Sequence, residues 1–591
     1  MKKILLILSL VFFFLSANSQ FITNSSGSTQ AGTVYFFSNS GDDANDGLST
    51  TNPKKTITHL NTLTLSGGDQ ALFKRGDIWW LLYDTLLIHS ENGVAENHII
   101  YGSYGTGPKP KFDGSIPVLG FTAHPSLSNV YKCDSLIPHN LTSSADGIRS
   151  YTGWGTGTIC EAYASINSAN TRVNGTTQAS LDALAANWDK IWQNDSLYFY
   201  YDGDIADIDT MHVPQVHSAI AMDADYVTVE GLDIKYFAYG GINVLLSYLN
   251  HQIGCRIQGN EVAYSGGTDA AGYGIQVNYE NLIIRNNKSY NHGRRQIAVY
   301  TYGNEQIRNI LIEDNEIFYA PHTGIDIATN YSGDDIYNLT IRRNHLHTPY
   351  PGESPAQISI IDHNTNEDID SIYIYNNIVE VGAAGSFGLH WGPGPNVFYV
   401  YNTITSTGGR LGLGTGNSLP GSHFTIMNNI FYNYSTNEVQ VYDFENSGTE
   451  PTVDTIDYNI YYTEQADWNN YFCQDAPDPE VHVNWDDFAT DWQANGWDVN
   501  GEQSNPMLVD STGDLQLRTG SPALGTARPI YLNGELINTD YLGNERDATN
   551  PDRGAYEKQS FPFYILLLGL FIRRRAHREL KRKSKNILQI K

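Results

Sequence analysis

The chain has 591 residues, four of them cysteine, and a formal net charge of −28. So acidic a surface repels phosphate backbones and excludes nucleic acid as a partner. Four scattered cysteines with no CxxC spacing exclude both a disulfide scaffold and a zinc ribbon.

Residues 1–19, MKKILLILSLVFFFLSANS, run from basic to apolar to small residues, the order of a secretory signal, with cleavage expected after Ser19. The mature protein is therefore expected outside the cytoplasm: secreted, periplasmic or at the cell surface. In that oxidising setting Cys133 and Cys160 are the pair to test for a disulfide. Residues 20–115 form a first segment, in which NPKKTITHLNTL (52–63) reads as a helix-like cap. Residues 116–215 hold stretches rich in Ser, Thr and Ala and carry no repeat. They read as an insertion, partly helical over QASLDALAANWDKIW (178–192).

Residues 216–470 carry a repeat. IQGNEV, IRNNKS, IEDNEI, IRRNHL, IYNNIV, VYNTI, IMNNIF and IDYNIY place Asn260, Asn287, Asn315, Asn344, Asn377, Asn402, Asn429 and Asn459 at spacings of 25 to 33 residues. A second apolar-alternating stretch comes after each of the first seven asparagines: GIQV, QIAV, GIDI, QISI, GLHW, RLGL and EVQV. Two short strands per repeat and no 3.6-residue pattern exclude helical and leucine-rich solenoids and predict a parallel β-helix. Coils then stack roughly 4.8 Å apart, and the asparagines form one column at a turn, hydrogen-bonded along the stack. Residues 471–560, tryptophan-rich and acidic at their start, hold the last coils and a closing segment. Residues 561–591 are a short apolar run, too short for an ordinary membrane span, and a basic tail; no other segment of the mature chain offers membrane contact.

These features resemble the right-handed parallel β-helix proteins of the pectate-lyase-like superfamily. The resemblance extends to SNSGDDANDGLSTTNPKKTITHLNTL (38–63), GDQALFKRGDIW (68–79), YGSYGTGPKPKFDGS (101–115), LQLRTGSPALG (515–525) and GNERDATNPDRGAYE (543–557). It implies an all-β, right-handed β-helix with an N-terminal cap and loop insertions, acting on a polysaccharide as a monomer. One fold hosts many activities, so the site must be argued from residues.

Aligning the second strands on Ile275, Ile297, Ile325, Ile358, Leu389, Leu411 and Val439 turns the next residues outward. That column reads Gln276, Ala298, Asp326, Ser359, His390, Gly412, Gln440. Asp326 falls between two small residues and is expected in an open slot, where Asp326→Asn leaves the fold intact. Arg294 and His322 precede the strands of adjacent coils beside His292 and Arg295, while Asp362, His363, His390 and Trp391 come on the next coils. Tyr300 and Tyr302 suit stacking on a sugar.

Two reactions fit. The resemblance implies a lyase in which calcium or arginine neutralises an acidic sugar while Arg294, Arg295 or Lys288 takes the proton. His292 and His322 are the alternative bases, with Asp326 as a calcium ligand. A glycoside hydrolase needs two carboxylates, for which Asp326 and Asp362 are the pair, with backbones roughly 11 Å apart. A non-catalytic surface or adhesion protein using the same groove is the reading from another class. Asp334 and Asp335 in SGDDIYN are the remaining metal candidates. The acids of GDDANDG do not match an EF-hand ligand order.

Overall fold

Isoleucine, valine and leucine at alternate positions give each repeat three short strands, each with one apolar face. In the computed structural model these faces turn inward, and successive repeats stack into three sheets of twelve strands each, parallel throughout except for the antiparallel last strand of the third. The structure describes residues 32–559, apart from 134–162 and shorter segments among which are 245–251, 267–271, 302–305, 350–355, 363–368, 383–386, 416–422, 435–440, 444–451, 465–470 and 475–482. The first sheet runs from Val34–Phe37 to Thr452–Asp457, the second from Ile78–Trp80 to Glu502–Gln503, and the third from Leu86–His89 to Val483–Asn484. This is the right-handed parallel β-helix.

Inside, like residues stack on like. Ile257, Ile284, Ile312, Ile341 and Ile374 pair in register along the first sheet, and Ile275, Ile297, Ile325, Ile358 and Leu389 along the third. All ten are fully buried. The expected third-sheet column slips at its end. Leu389 pairs with Leu413 rather than Leu411 and His390 with Gly414 rather than Gly412, because the Gly-rich strand Arg410–Thr415 carries a register shift. Val439 and Gln440 lie outside the described residues.

The corner between the first and second sheets is where the asparagines sit. The residue before each one adopts a left-handed conformation, from Gly259 at φ 65° through Asp314 at 56° to Tyr458 at 62°. That sharp bend aims the asparagine inward. Each side-chain amide from Asn260 to Asn429 donates to the next asparagine's Oδ1, at 2.9–3.2 Å, and to a backbone carbonyl of the first sheet. The column is continuous through all eight.

Both ends are closed. At the N-terminal end the short helix Ile57–Leu60 buries Ile57 and Leu60 against the core, with Thr56 as its N-cap. Asp43 accepts from Lys55 N, Thr56 N and Thr56 Oγ1, and the Lys54 ammonium sits on the carbonyls of Asp43 and Asn45 at 3.2 and 2.7 Å. At the other end the tryptophan-rich stretch is a plug. Trp492 is fully buried, stacked on Tyr442 at 5.8 Å, with Phe488 and Phe472 beside it. The segment from Pro506 to Glu557 then folds back along the corner of the first two sheets. There Arg546, buried over the Tyr401 ring, donates to Asn376 and pairs with Glu557.

The insertion differs from its sequence reading. Its described residues build two four-stranded antiparallel sheets, and 178–192 yields one 3-10 turn (Leu181–Ala183) and a strand (Lys190–Gln193). Pairing of Ile191 and Trp192 with Tyr198 and Leu197 outweighs the local helical pattern. It docks through His212, whose ring stacks on Tyr236 at 3.9 Å. Residues 1–19, Cys160 and the tail 561–591 lie outside the described residues. Among the described residues no helix is long and apolar enough to cross a membrane.

Candidate active site

The outer face of the third sheet carries the residues singled out by sequence. Its strands Tyr273–Val277, Arg295–Tyr300, Thr323–Thr329, Ala356–Asp362 and Phe387–Trp391 pair in register. Gln276, Ala298, Asp326, Ser359 and His390 consequently form one column.

Asp326 is in that column, but the open slot is not there. Its side chain is 3% exposed and ion-paired with Arg295 Nε, and the Tyr300 hydroxyl donates to the same oxygen, Oδ2. Arg295 belongs to the preceding coil, three positions before Ala298, and its long side chain reaches diagonally over that small residue. The guanidinium packs against two aromatic rings, 5.7 Å from Tyr273 and 5.5 Å from Tyr300, and donates to the Tyr273 hydroxyl at 3.3 Å. Burial works against its charge, but Asp326 and the two tyrosines outweigh burial and hold the group protonated. Burial and then the Asp326 charge push the Tyr300 phenol well above its usual range. Tyr300 is a fixed donor, not a sugar platform. Tyr273 went unnoticed in the sequence although its register partner is Arg295.

The open part of the site lies at the edge of this sheet. Gly272, at φ 140°, has its Cα so close to the next coil that a Cβ would meet Arg294 N at 2.8 Å. Arg294 N donates to Gly272 O at 2.9 Å, and His322 N to Arg294 O at 3.2 Å. Arg294 and His322 thus stack in adjacent coils, as their spacing suggested. Arg294 is half-buried and forms no ion pair among the described residues. His322 is exposed, and its Nδ1 is hydrogen-bonded with Thr323 Oγ1 at 2.8 Å. Desolvation, then the charges of Arg295 and Arg294, push its pKa down to about 4, with His390 adding to the same effect. Because the ring meets solvent, the two guanidinium charges are the durable part of that depression. At neutral pH it is an uncharged imidazole.

Four sequence candidates leave the site. His292 is fully buried on the inner side of the corner, accepting from Ser265 N with Nδ1, its Nε2 3.1 Å from Val262 O. Lys288 belongs to the second sheet, with its ammonium 5.0 Å over the Phe318 ring and 3.4 Å from Glu316. Asp334 is buried and accepts from Thr301 Oγ1, while Asp335 accepts from Gln306. The backbones of Asp362 and Trp391 are in place opposite Thr329 and Ile360. Their side chains, and Tyr302 and His363 entirely, lie outside the described residues.

No family model matches the chain, and no curated protein does. Solved structures do. XylC in complex with xylose is similar with a TM-score of 0.53 at 13% identity, over 89% of this chain and 98% of its own. Pectate lyase Pel9A is similar at 11% identity over 89% and 96%, with a TM-score of 0.44. A lacto-N-biosidase from Eubacterium ramulus is similar at 16% identity over 76% and 67%, with a TM-score of 0.42. At such identities the XylC likeness, the strongest of the three by TM-score, is one of fold.

Proposed function

We propose that this is an exported enzyme that binds an anionic polysaccharide along the outer face of the third sheet and cleaves it by elimination. The observation that carries the reading is Arg294. In so acidic a protein a guanidinium with no ion-pair partner among the described residues, beside a neutral histidine, is a seat for an anion. A uronate carboxylate seated there offsets the arginine charges, and the pKa of His322 rises toward a useful range as the substrate binds. His322 then takes the proton α to the carboxylate. The freed electron pair forms a carbon–carbon double bond, the glycosidic C–O bond breaks, and the departing oxygen takes up a proton. Arg295, locked by Asp326 and Tyr300, holds the strand beneath.

Hydrolysis by a carboxylate pair has less support, since Asp326 is already held by Arg295 and Tyr300. The XylC structure in complex with xylose, sharing the fold, is in keeping with a sugar ligand. The test is incubation with a panel of anionic and neutral polysaccharides. Elimination yields ultraviolet-absorbing unsaturated ends from anionic ones. Reducing ends without that absorbance mean hydrolysis, and binding without cleavage means an adhesion module.

A further inference from the structure

Calcium is the cation that the fold resemblance implies, and the residues present do not fit it. A calcium ion takes six to eight oxygen ligands from flexible, accessible groups. Among the described residues no three His, Cys, Asp or Glu side chains are grouped to hold a metal.

We infer that the described residues of this protein neither bind calcium nor need it for turnover, because its own cationic side chains fill the positions a calcium ion would take. Asp326 is the carboxylate best placed for such an ion. Its Oδ2 holds Arg295 and Tyr300, and the guanidinium is packed against two tyrosine rings. An incoming ion must strand that guanidinium unpaired in an apolar slot, a heavily disfavoured exchange. The N-terminal acidic loop repeats the arrangement independently. Lys54, 7% exposed, places its ammonium on the carbonyls of Asp43 and Asn45, while both Asp43 oxygens are taken by Lys55 and Thr56. Two sites far apart in the chain use a tethered cation in a cation's place. For turnover this rests on the elimination reading; for binding it does not.

The test is direct binding. EDTA-treated protein is titrated with terbium, whose emission is sensitised by nearby tyrosine and tryptophan, and its melting temperature is measured with EDTA and with millimolar calcium chloride. Wild type is expected to show no calcium-competed emission and the same melting temperature in both. Arg295→Met exposes Asp326 and is expected to gain calcium-competed emission, which Asp326→Asn added to it removes. Lys54→Met is expected to gain a calcium-dependent rise in melting temperature. Calcium-competed emission from wild type that Asp326→Asn abolishes would overturn the inference, and should either variant fail to fold, the wild-type titration still decides it. If no polysaccharide is cleaved with calcium or with EDTA, the elimination reading fails while the binding result stands. Cleavage in calcium that EDTA stops would sink the inference and leave the elimination reading intact.

Discussion

Asn459 donates its backbone N–H to Asp498 Oδ1 and its side-chain amide to Asp498 Oδ2, both at 3.2 Å. A carboxylate stands where the column would place another asparagine. It accepts from Tyr461 as well, and Tyr461 is 2.8 Å from the Tyr442 hydroxyl. Every amide in the column donates toward the C-terminus, so the last acceptor needs no donor of its own.

That terminus is ionisable. Burial lifts the Asp498 pKa to about 7, against roughly 3.9 in an unfolded chain. A raised folded pKa contributes stability in full below about pH 4, lost as pH climbs through 7. The contribution is of the order of 4 kcal/mol. Urea midpoints measured from pH 4 to pH 8 are expected to fall, and Asp498→Asn to flatten that fall. Parallel profiles for the two proteins would show that the carboxylate is not the responsible group.

Asn344 accepts from the backbone and side chain of Asn315 and donates to Asn377 and Ile312 O. Asn344→Ala removes these four buried hydrogen bonds, worth about 0.5–1.5 kcal/mol each, and leaves Asn315 N without its acceptor at a further cost of about 1–3 kcal/mol. A loss of at least about 3 kcal/mol is expected by chemical unfolding, far more than for replacement of the exposed Asn39.

Asp326→Asn is expected to destabilise the protein by about 3–5 kcal/mol, because it leaves Arg295 charged and unpaired in its tyrosine slot. The sequence reading, which placed Asp326 in an open slot, expected no effect on folding. Replacing both partners, Asp326→Asn with Arg295→Met, is expected to recover part of the loss in thermal melting.

His322→Ala is expected to lower kcat by roughly two to four powers of ten on a substrate that the protein cleaves. The acidic limb of kcat/KM reports the free enzyme's base and is expected near pH 4. Arg294→Ala removes one of the charges that depress that base. The limb is expected to move upward in pH while KM for an anionic substrate rises. An unchanged limb would separate His322 from the chemistry.

Much of the architecture was legible because a solenoid repeats its demands: each coil from Asn260 to Asn459 sets an asparagine after a left-handed residue, and coil after coil turns an aliphatic side chain inward. The site was legible only in part. Column reasoning compares residues at the same height of adjacent strands, so it found Ala298 and Ser359 beside Asp326. It could not see a long Arg295 side chain crossing diagonally from another column. His292 was misplaced for a related reason: alternation runs straight along a strand, whereas the corner turns that ring inward. The insertion was misread because its strands are fixed by partners distant in sequence, as with Tyr163 against His212.

The aromatic plug around Trp492 has a consequence beyond closing the core. Stacked coils offer no internal measure of how many there should be, and each sheet's final strand is a template for another chain. What makes this molecule finite is its lid. The same stack without the Trp485–Trp497 segment presents bare strand edges to its neighbours, and the natural extension of such a rod is a filament.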